Sequence, residues 1–275
     1  MTHSPKNLAP ALARLERAAR AAGAVAAADF RLGAHTSAHV TFKEGGSPVT
    51  DADLRANDAL HAMLTADFPG AGWLSEETAD DPARLARNEV LIVDPIDGTR
   101  AFLTGDARWA VSVALVRDGR AMAGAVFAPA LDEMFTAAHG LGAWRNGIAI
   151  SATTRVTLDG ARAAGPKPSV ERLARAAGAM IENVGRVPSL ALRLAQVAEG
   201  RIDFALANEN SNEWDIAAAD ILLQESGAAL FDASGAPIRY NGALTKQSAL
   251  YAAPVLLAPA LKRAAGIGAG DARRV

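Results

Sequence analysis

The sequence predicts a layered α/β protein in two subdomains, and three observations predict it. The first half carries short apolar runs of strand length joined by Asp-Gly and Asn-Gly turns. The second half alternates helical and strand periodicity. The chain has 275 residues, near the length at which one core begins to divide, so we place a boundary between residues 1–155 and 156–275.

The elements follow in order. Residues 8–30 read as an amphipathic helix, with Leu8, Leu12, Leu15 and Ala19 near one face and charges opposite. Residues 35–48 are polar and glycine-containing and read as a mobile loop. Thr50 is a good N-cap for a second helix, whose first turn holds Asp51 and Asp53 where the helix dipole favours acids. Pro69-Gly70 ends it. Residues 78–88 are charged and read as exposed. Val90 to Val93 form a continuous apolar run that stops at Asp94, as a buried strand would. Residues 111–116 and 121–127, around Asp118-Gly119, read as a hairpin. Strands at 134–138 and 142–150, the latter with an Asn146-Gly147 turn, extend an antiparallel sheet. Beyond them come helix 169–178, strand 180–184, helix 189–199, strand 202–206, helix 214–226 and strands 228–231 and 248–252. The glycines of 266–271 follow no strand and open no helix, so they read as a frayed tail rather than a dinucleotide fingerprint.

Composition narrows the function. With 28 basic against 30 acidic side chains, the chain lacks the basic face that a nucleic-acid polymer needs. Zero cysteines exclude disulfides, thiolate zinc sites and cysteine nucleophiles. Half the residues are hydrophobic, with alanine the largest single share, but no apolar run approaches the ~20 residues of a membrane span. The N-terminal arginines interrupt any signal-peptide core. The expectation is a soluble, cytoplasmic protein with no membrane partner. The five histidines, His3, His35, His39, His61 and His139, show no ligand spacing and receive no role.

Four acidic clusters carry the chemistry. Asp94-Pro95-Ile96-Asp97-Gly98-Thr99 follows the apolar strand, and its carboxylates and backbone carbonyls are the hard ligands that Mg²⁺ or Mn²⁺ takes. Gly98-Thr99 opens a short helix whose free N–H groups suit a phosphate. Taken alone, this segment is equally an aspartate cap on an ordinary turn. Ser75-Glu76-Glu77, Asp51-Ala52-Asp53 and Glu213-Trp214-Asp215 likewise have bland readings as a solvated face and as helix caps. An EF-hand reading of Asp51 and Asp53 fails, since Arg55 stands at the fifth loop position and the required glycine is missing.

Together the stretches SPVTDAD (47–53), SEE (75–77), VDPIDGTRAF (93–102) and WDIAAADILLQESG (214–227) resemble the inositol monophosphatase-like superfamily of metal-dependent, often lithium-sensitive, phosphomonoesterases. The resemblance runs from the first helix to about residue 255. It implies an αβαβα sandwich and two or three Mg²⁺ ions, with Mn²⁺ as an alternative. It implies that Glu76, Asp94 and the Ile96 carbonyl hold one ion, that Asp94, Asp97 and Asp215 hold a second, and that a weaker third lies near Glu76. Thr99 and Glu76 would position and activate the attacking water, with Asp53 behind Thr99. Gly98 and Thr99 would hold the phosphate, with Asp97 and Asp215 also facing the substrate.

Substrate choice lies outside these motifs. Lys43, ahead of SPVT, and the stretches at 109–120 and 127–137 are similar to the 3′(2′),5′-bisphosphate nucleotidase branch, although Gly45-Gly46 stands where that branch often has an acid. Residues 100–105 are similar to histidinol-phosphate phosphatases. Asn208 and the polar residues after it suit sugar or ribose hydroxyls. The expected partner is therefore a small phosphorylated metabolite, first a bisphosphate nucleotide, then inositol monophosphate, then histidinol phosphate or a sugar bisphosphate. The non-enzyme alternative is a silent metal-binding protein on the same fold. A homodimer is compatible with the resemblance.

Overall fold

The computed structural model describes residues 8–268; His3 and residues 269–271 of the glycine-rich tail lie outside them. Helices α1 (Ala9–Ala27) and α2 (Asp51–Asp67) flank a short hairpin of β1 (Val40–Phe42) and β2 (Pro48–Thr50). A seven-stranded sheet follows, of β3 (Gly72–Ser75), β4 (Glu89–Asp97), β5 (Ala110–Arg117), β6 (Arg120–Ala128), β7 (Glu133–Ala138), β8 (Gly142–Arg145) and β9 (Ile148–Ala149) in sequential order, with α3 (Thr99–Thr104) between β4 and β5. Within this sheet only β3 and β4 pair in parallel.

The second sheet is drawn from β10 (Ala161–Ala164), β11 (Ile181–Asn183), β12 (Phe204–Ala207), β13 (Ala228–Asp232) and β14 (Leu250–Pro254), ordered β11-β10-β12-β14-β13. Helices α4 (Lys167–Ala177), α5 (Leu190–Ala198), α6 (Glu213–Glu225) and α7 (Ala258–Ala265) complete the described chain.

The cores show the layers. One cluster joins α1 and α2 to one face of the large sheet, through Leu15, Leu60, Leu91 and Val93. A second joins the opposite face, through Val90 and Ile92, to α5, α6 and the smaller sheet. A third joins the far face of the smaller sheet to α4 and α7. This is the αβαβα sandwich. Strand β4 reads as an unbroken apolar run because alternate residues face two different cores. Helix α6 lies so close to the sheet that a Cβ on Gly124 of β6 would come within 2.6 Å of the Ala218 carbonyl.

The structure departs from the sequence reading in identifiable places. Residues 35–48 are not all loop, because β1 and β2 pair within and beside them. Strand β4 does not stop at Asp94 but runs to Asp97 through a break in register with β5. Strands β3 and β10 and helix α7 had no counterpart in the sequence reading, and Gly266, at φ 70°, caps α7 rather than opening a tail. Within the charged stretch 78–88, Arg84 is 2% exposed. No described helix is long and apolar enough to cross a membrane.

Asp220 of α6 is fully buried and accepts a 2.9 Å bond from the Tyr240 hydroxyl. Burial pushes its carboxyl up to about 6, with bonds from Gln224 and Tyr240 opposing. A carboxyl raised on folding contributes stability below its unfolded pKa and loses it as pH rises through the folded one. Asp220→Asn keeps an acceptor for Tyr240 and removes that loss. Between about pH 4 and pH 7 its stability relative to the parent should therefore rise, by up to about 3 kcal/mol. Denaturant unfolding at the two pH values measures this, and a constant difference would contradict it.

Candidate active site

The site forms where the C-terminal end of β4 meets the N-termini of α5 and α6. At the register break, Asp94 Oδ1 accepts the Ile96 N–H at 3.0 Å, folding the backbone back on the carboxylate. Asp97 lies against the start of α5. Its Oδ2 accepts from the Ser189 hydroxyl and the Ala191 N–H, both at 2.6 Å. Ser189 is also the N-cap of α5, so one hydroxyl ends a helix and holds an acid. Gly98 follows at φ 92°, where a Cβ would lie 3.2 Å from the Ser189 nitrogen. Only glycine serves a left-handed turn pressed this close to a neighbouring backbone.

Asp215 is the third residue of α6, and its Oδ2 accepts the Asn212 N–H at 2.7 Å in a capping box. The preceding Trp214 carbonyl accepts from Ser112 Oγ at 3.0 Å. Ser112 is the cross-strand neighbour of Asp94, so the first turn of α6 is tied to the sheet beside that acid. As a result Asp94, Asp97 and Asp215 each place one carboxylate oxygen within 4.8 Å of the other two.

That arrangement is costly without a cation. Burial raises Asp94 well above the usual carboxylate range, and the charges of Glu76, Asp97 and Asp215 add to it. Burial likewise raises Asp215, with Asp97 adding. Asp97 is pushed up to about 6 by burial, against the bonds from Ser189 and Ala191. Three converging hard oxygen donors that repel one another fit a divalent cation such as Mg²⁺ or Mn²⁺.

Glu76 follows β3 and lies outside this trio of converging oxygens. Its Oε1 accepts from Lys43 Nζ at 3.0 Å, and Glu77 Oε1 accepts from the same ammonium at 2.8 Å. Burial works against the Lys43 charge, but the two glutamates outweigh it and its pKa is raised. The lysine that the sequence suggested for a second phosphate is thus held by carboxylates. Asp53 closes a capping box with Thr50 through Oδ2, while its Oδ1 lies 3.5 Å from Thr99 Oγ1. Thr99 Oγ1 also donates to the Ile96 carbonyl at 3.2 Å. Burial raises Asp53 to about 7, with the Thr50 bonds opposing.

Asp97, Asp215 and Asn208 line a cavity of about 800 Å³ together with Lys167, Arg186 and Arg193. Arg193 is buried, and among the described residues its guanidinium bonds only to carbonyls, those of Val187 and Leu206. Burial lowers its pKa, Asp97 opposes this and Arg186 adds to it. The sequence reading missed Ser189 and these three cations. Ser189 had a detectable local signal as an N-cap; the cations had none, because their relation to Asp97 exists only in the folded chain.

Comparison with known proteins agrees with this geometry. Residues 7–268 match the inositol monophosphatase family. The chain is 35% identical over 227 residues to an inositol-1-monophosphatase of Mesorhizobium japonicum, covering 80% of this chain and 84% of that one. It is 32% identical over 214 residues to the 3′(2′),5′-bisphosphate nucleotidase CysQ of Haemophilus influenzae, covering 74% and 78%. The structure of the extragenic suppressor protein suhB of Bartonella henselae superposes with a TM-score of 0.80 at 29% identity, covering 94% of this chain and all of that one. With a matched profile across almost its whole length and an acidic trio that fits a divalent metal, the chain belongs to the inositol monophosphatase family of metal-dependent phosphomonoesterases.

Proposed function

We propose that this phosphomonoesterase uses Mg²⁺ and prefers a substrate with a second phosphate, 3′-phosphoadenosine 5′-phosphate being hydrolysed to AMP and phosphate. The observation that carries the choice is the cavity lining. Lys167, Arg186 and Arg193 accompany Asp97 and Asp215 there, with Glu209 as the further acid. A monophosphate needs charge neutralisation only at the metal cluster. Cations elsewhere in the cavity suit a second anionic group. The bisphosphate nucleotidase among the relatives supports the same reading. The inositol-1-monophosphatase at 35% identity supports inositol 1-phosphate as the second reading.

Asp94, Asp97 and Asp215, with Glu76 and the Ile96 carbonyl, would hold two or three ions. When bound, such cations neutralise the phosphate dianion, stabilise the leaving alkoxide and lower the pKa of the attacking water. Thr99 would orient that water: its single proton goes to the Ile96 carbonyl or to Asp53 Oδ1, and either way the oxygen lone pairs are left to accept. Glu76 would take the water's proton, which requires its 3.0 Å pair with Lys43 to open. Gly98 and Thr99 would position the phosphate through backbone N–H groups, and Asn208 would meet a hydroxyl of the leaving group. In this reading residues 1–155 supply most metal ligands, and residues 156–275 supply Asp215 and the substrate contacts.

Arg186 is exposed and outside the acidic trio, so it separates the two substrates. An exposed ion pair is worth up to ~1 kcal/mol, and a charge-assisted bond that the substrate helps enclose roughly 1.5–3 kcal/mol. Arg186→Ala should therefore cost from several-fold to about a hundredfold in kcat/KM for 3′-phosphoadenosine 5′-phosphate and little for inositol 1-phosphate. Steady-state phosphate release on both substrates measures this. Equal losses, or a parent enzyme that prefers inositol 1-phosphate, would reverse the order of the two readings.

A further inference from the structure

We infer that Glu213 and Arg84 are positioning residues for Asp215, fixing where α6 presents that carboxylate relative to Asp94. The inference rests on the reading of Asp215 as a metal ligand. Glu213 opens α6 two residues before Asp215 and is 0% exposed. A buried carboxylate is retained at a cost unless donors satisfy it. Here the donors are backbone N–H groups, Asn241 to Oε2 at 2.8 Å and Gly242 to Oε1 at 3.2 Å. The Glu213 N–H in turn donates to the Thr245 carbonyl at 3.0 Å. Further along, the Gln247 N–H donates to the Ser211 carbonyl at 2.8 Å and the Asn210 N–H to the Gln247 carbonyl at 3.0 Å. Residues 241–247 therefore form a strap along the chain that enters α6.

Arg84 pins the strap's start. Its Nη1 donates to Asn241 Oδ1 at 2.8 Å and its Nη2 to the Gly242 carbonyl at 3.1 Å, while Asn241 Nδ2 returns a 3.1 Å bond to the Arg84 carbonyl. Asp80 holds the other side of the guanidinium. Arg84 lies in a short 3-10 helix, Pro82–Ala86, between β3, which leads to Glu76, and β4, which carries Asp94. A Cβ on Gly72 of β3 would lie 3.0 Å from the Arg84 Cβ, so this short helix and the strand are in close contact. The network thus runs from the segment between β3, which leads to Glu76, and β4, which carries Asp94, to the helix bearing Asp215, complementing the Ser112 bond to Trp214. Three carboxylates converging within 4.8 Å need such fixing, since metal ligands must be held to within about 0.5 Å and losing an outer partner typically costs ten- to a hundredfold in metal affinity.

The test is Mn²⁺ binding to the metal-stripped full-length protein, read by electron paramagnetic resonance well below the melting temperature. Glu213→Gln places an N–H donor against the Asn241 or Gly242 N–H and should weaken Mn²⁺ binding about tenfold or more. Asn241→Gly keeps the backbone N–H and the left-handed conformation at φ 62° but loses both side-chain bonds to Arg84. It should weaken binding several-fold and decides the matter if Glu213→Gln does not fold. Asp215→Asn is the reference. If it weakens binding while both other variants fall in melting temperature with Mn²⁺ affinity unchanged, the positioning role is overturned and the ligand reading stands. If Asp215→Asn itself leaves Mn²⁺ affinity unchanged, the ligand reading fails and the inference fails with it.

Discussion

Asp94→Asn is expected to lower kcat at least about 10³-fold while leaving a folded protein. The effect is large because Asp94 is central to the buried cluster: its own carboxylate lies with those of Asp97 and Asp215, and the charge of Glu76 also bears on it. On the proposed reading, removing one anionic donor there removes charge and a ligand from the site that would supply most of the transition-state stabilisation. Stability should move in the other direction. Burial and like charges hold Asp94 well above its ordinary range, so ionising it at neutral pH opposes folding of the metal-free protein. An amide carries no such penalty and still accepts the Ile96 N–H seen at 3.0 Å. The metal-free variant should therefore melt no lower than the metal-free parent at pH 7.5. Loss of activity together with retained or improved metal-free stability separates a ligand from a residue that merely holds the fold. Near-full activity of Asp94→Asn would remove Asp94 from the metal site.

Much of this was legible in the sequence, for local reasons. Strand β4 and its acidic end form one contiguous signal, an apolar run followed by two carboxylates on a turn. The hairpin at Asp118-Gly119 was legible because both turn residues carry positive φ, 50° and 73°, which that pair is known to favour. Thr50 caps the second helix as expected, and Asp53 adds a reciprocal bond that completes a capping box. Strand β10 was not legible, because Ala-Arg-Ala-Ala carries no β-branched or aromatic side chain and its strand identity comes from its neighbours. Helix α7 is alanine-rich and followed by glycines, which disguised its end as a tail. The acidic clusters converge only through contacts between distant segments: Asp97 meets Ser189 92 residues away, and Lys43 meets Glu76 33 residues away. The Arg84 to Asn241 bond spans 157 residues. No local pattern distinguishes such an arginine from the solvated charges around it.

Metal removal should have the largest effect of all, since it withdraws the cation that the Asp94, Asp97 and Asp215 trio fits. The metal-free protein keeps three converging carboxylates whose burial and mutual repulsion oppose ionisation. Restoring a cation at a hundred times its dissociation constant stabilises the folded state by about 2.7 kcal/mol, which raises the melting temperature by roughly 5 °C or more for a chain of this size. The direct measurement is phosphate release from a phosphomonoester by EDTA-stripped protein, titrated with Mg²⁺ and followed alongside thermal melting. The expected result is no turnover before Mg²⁺, saturable recovery with it, and a rise in melting temperature over the same concentration range. Turnover that persists in the stripped protein, or recovery with no accompanying change in stability, would contradict the assignment of Asp94, Asp97 and Asp215 as the metal site on which catalysis depends.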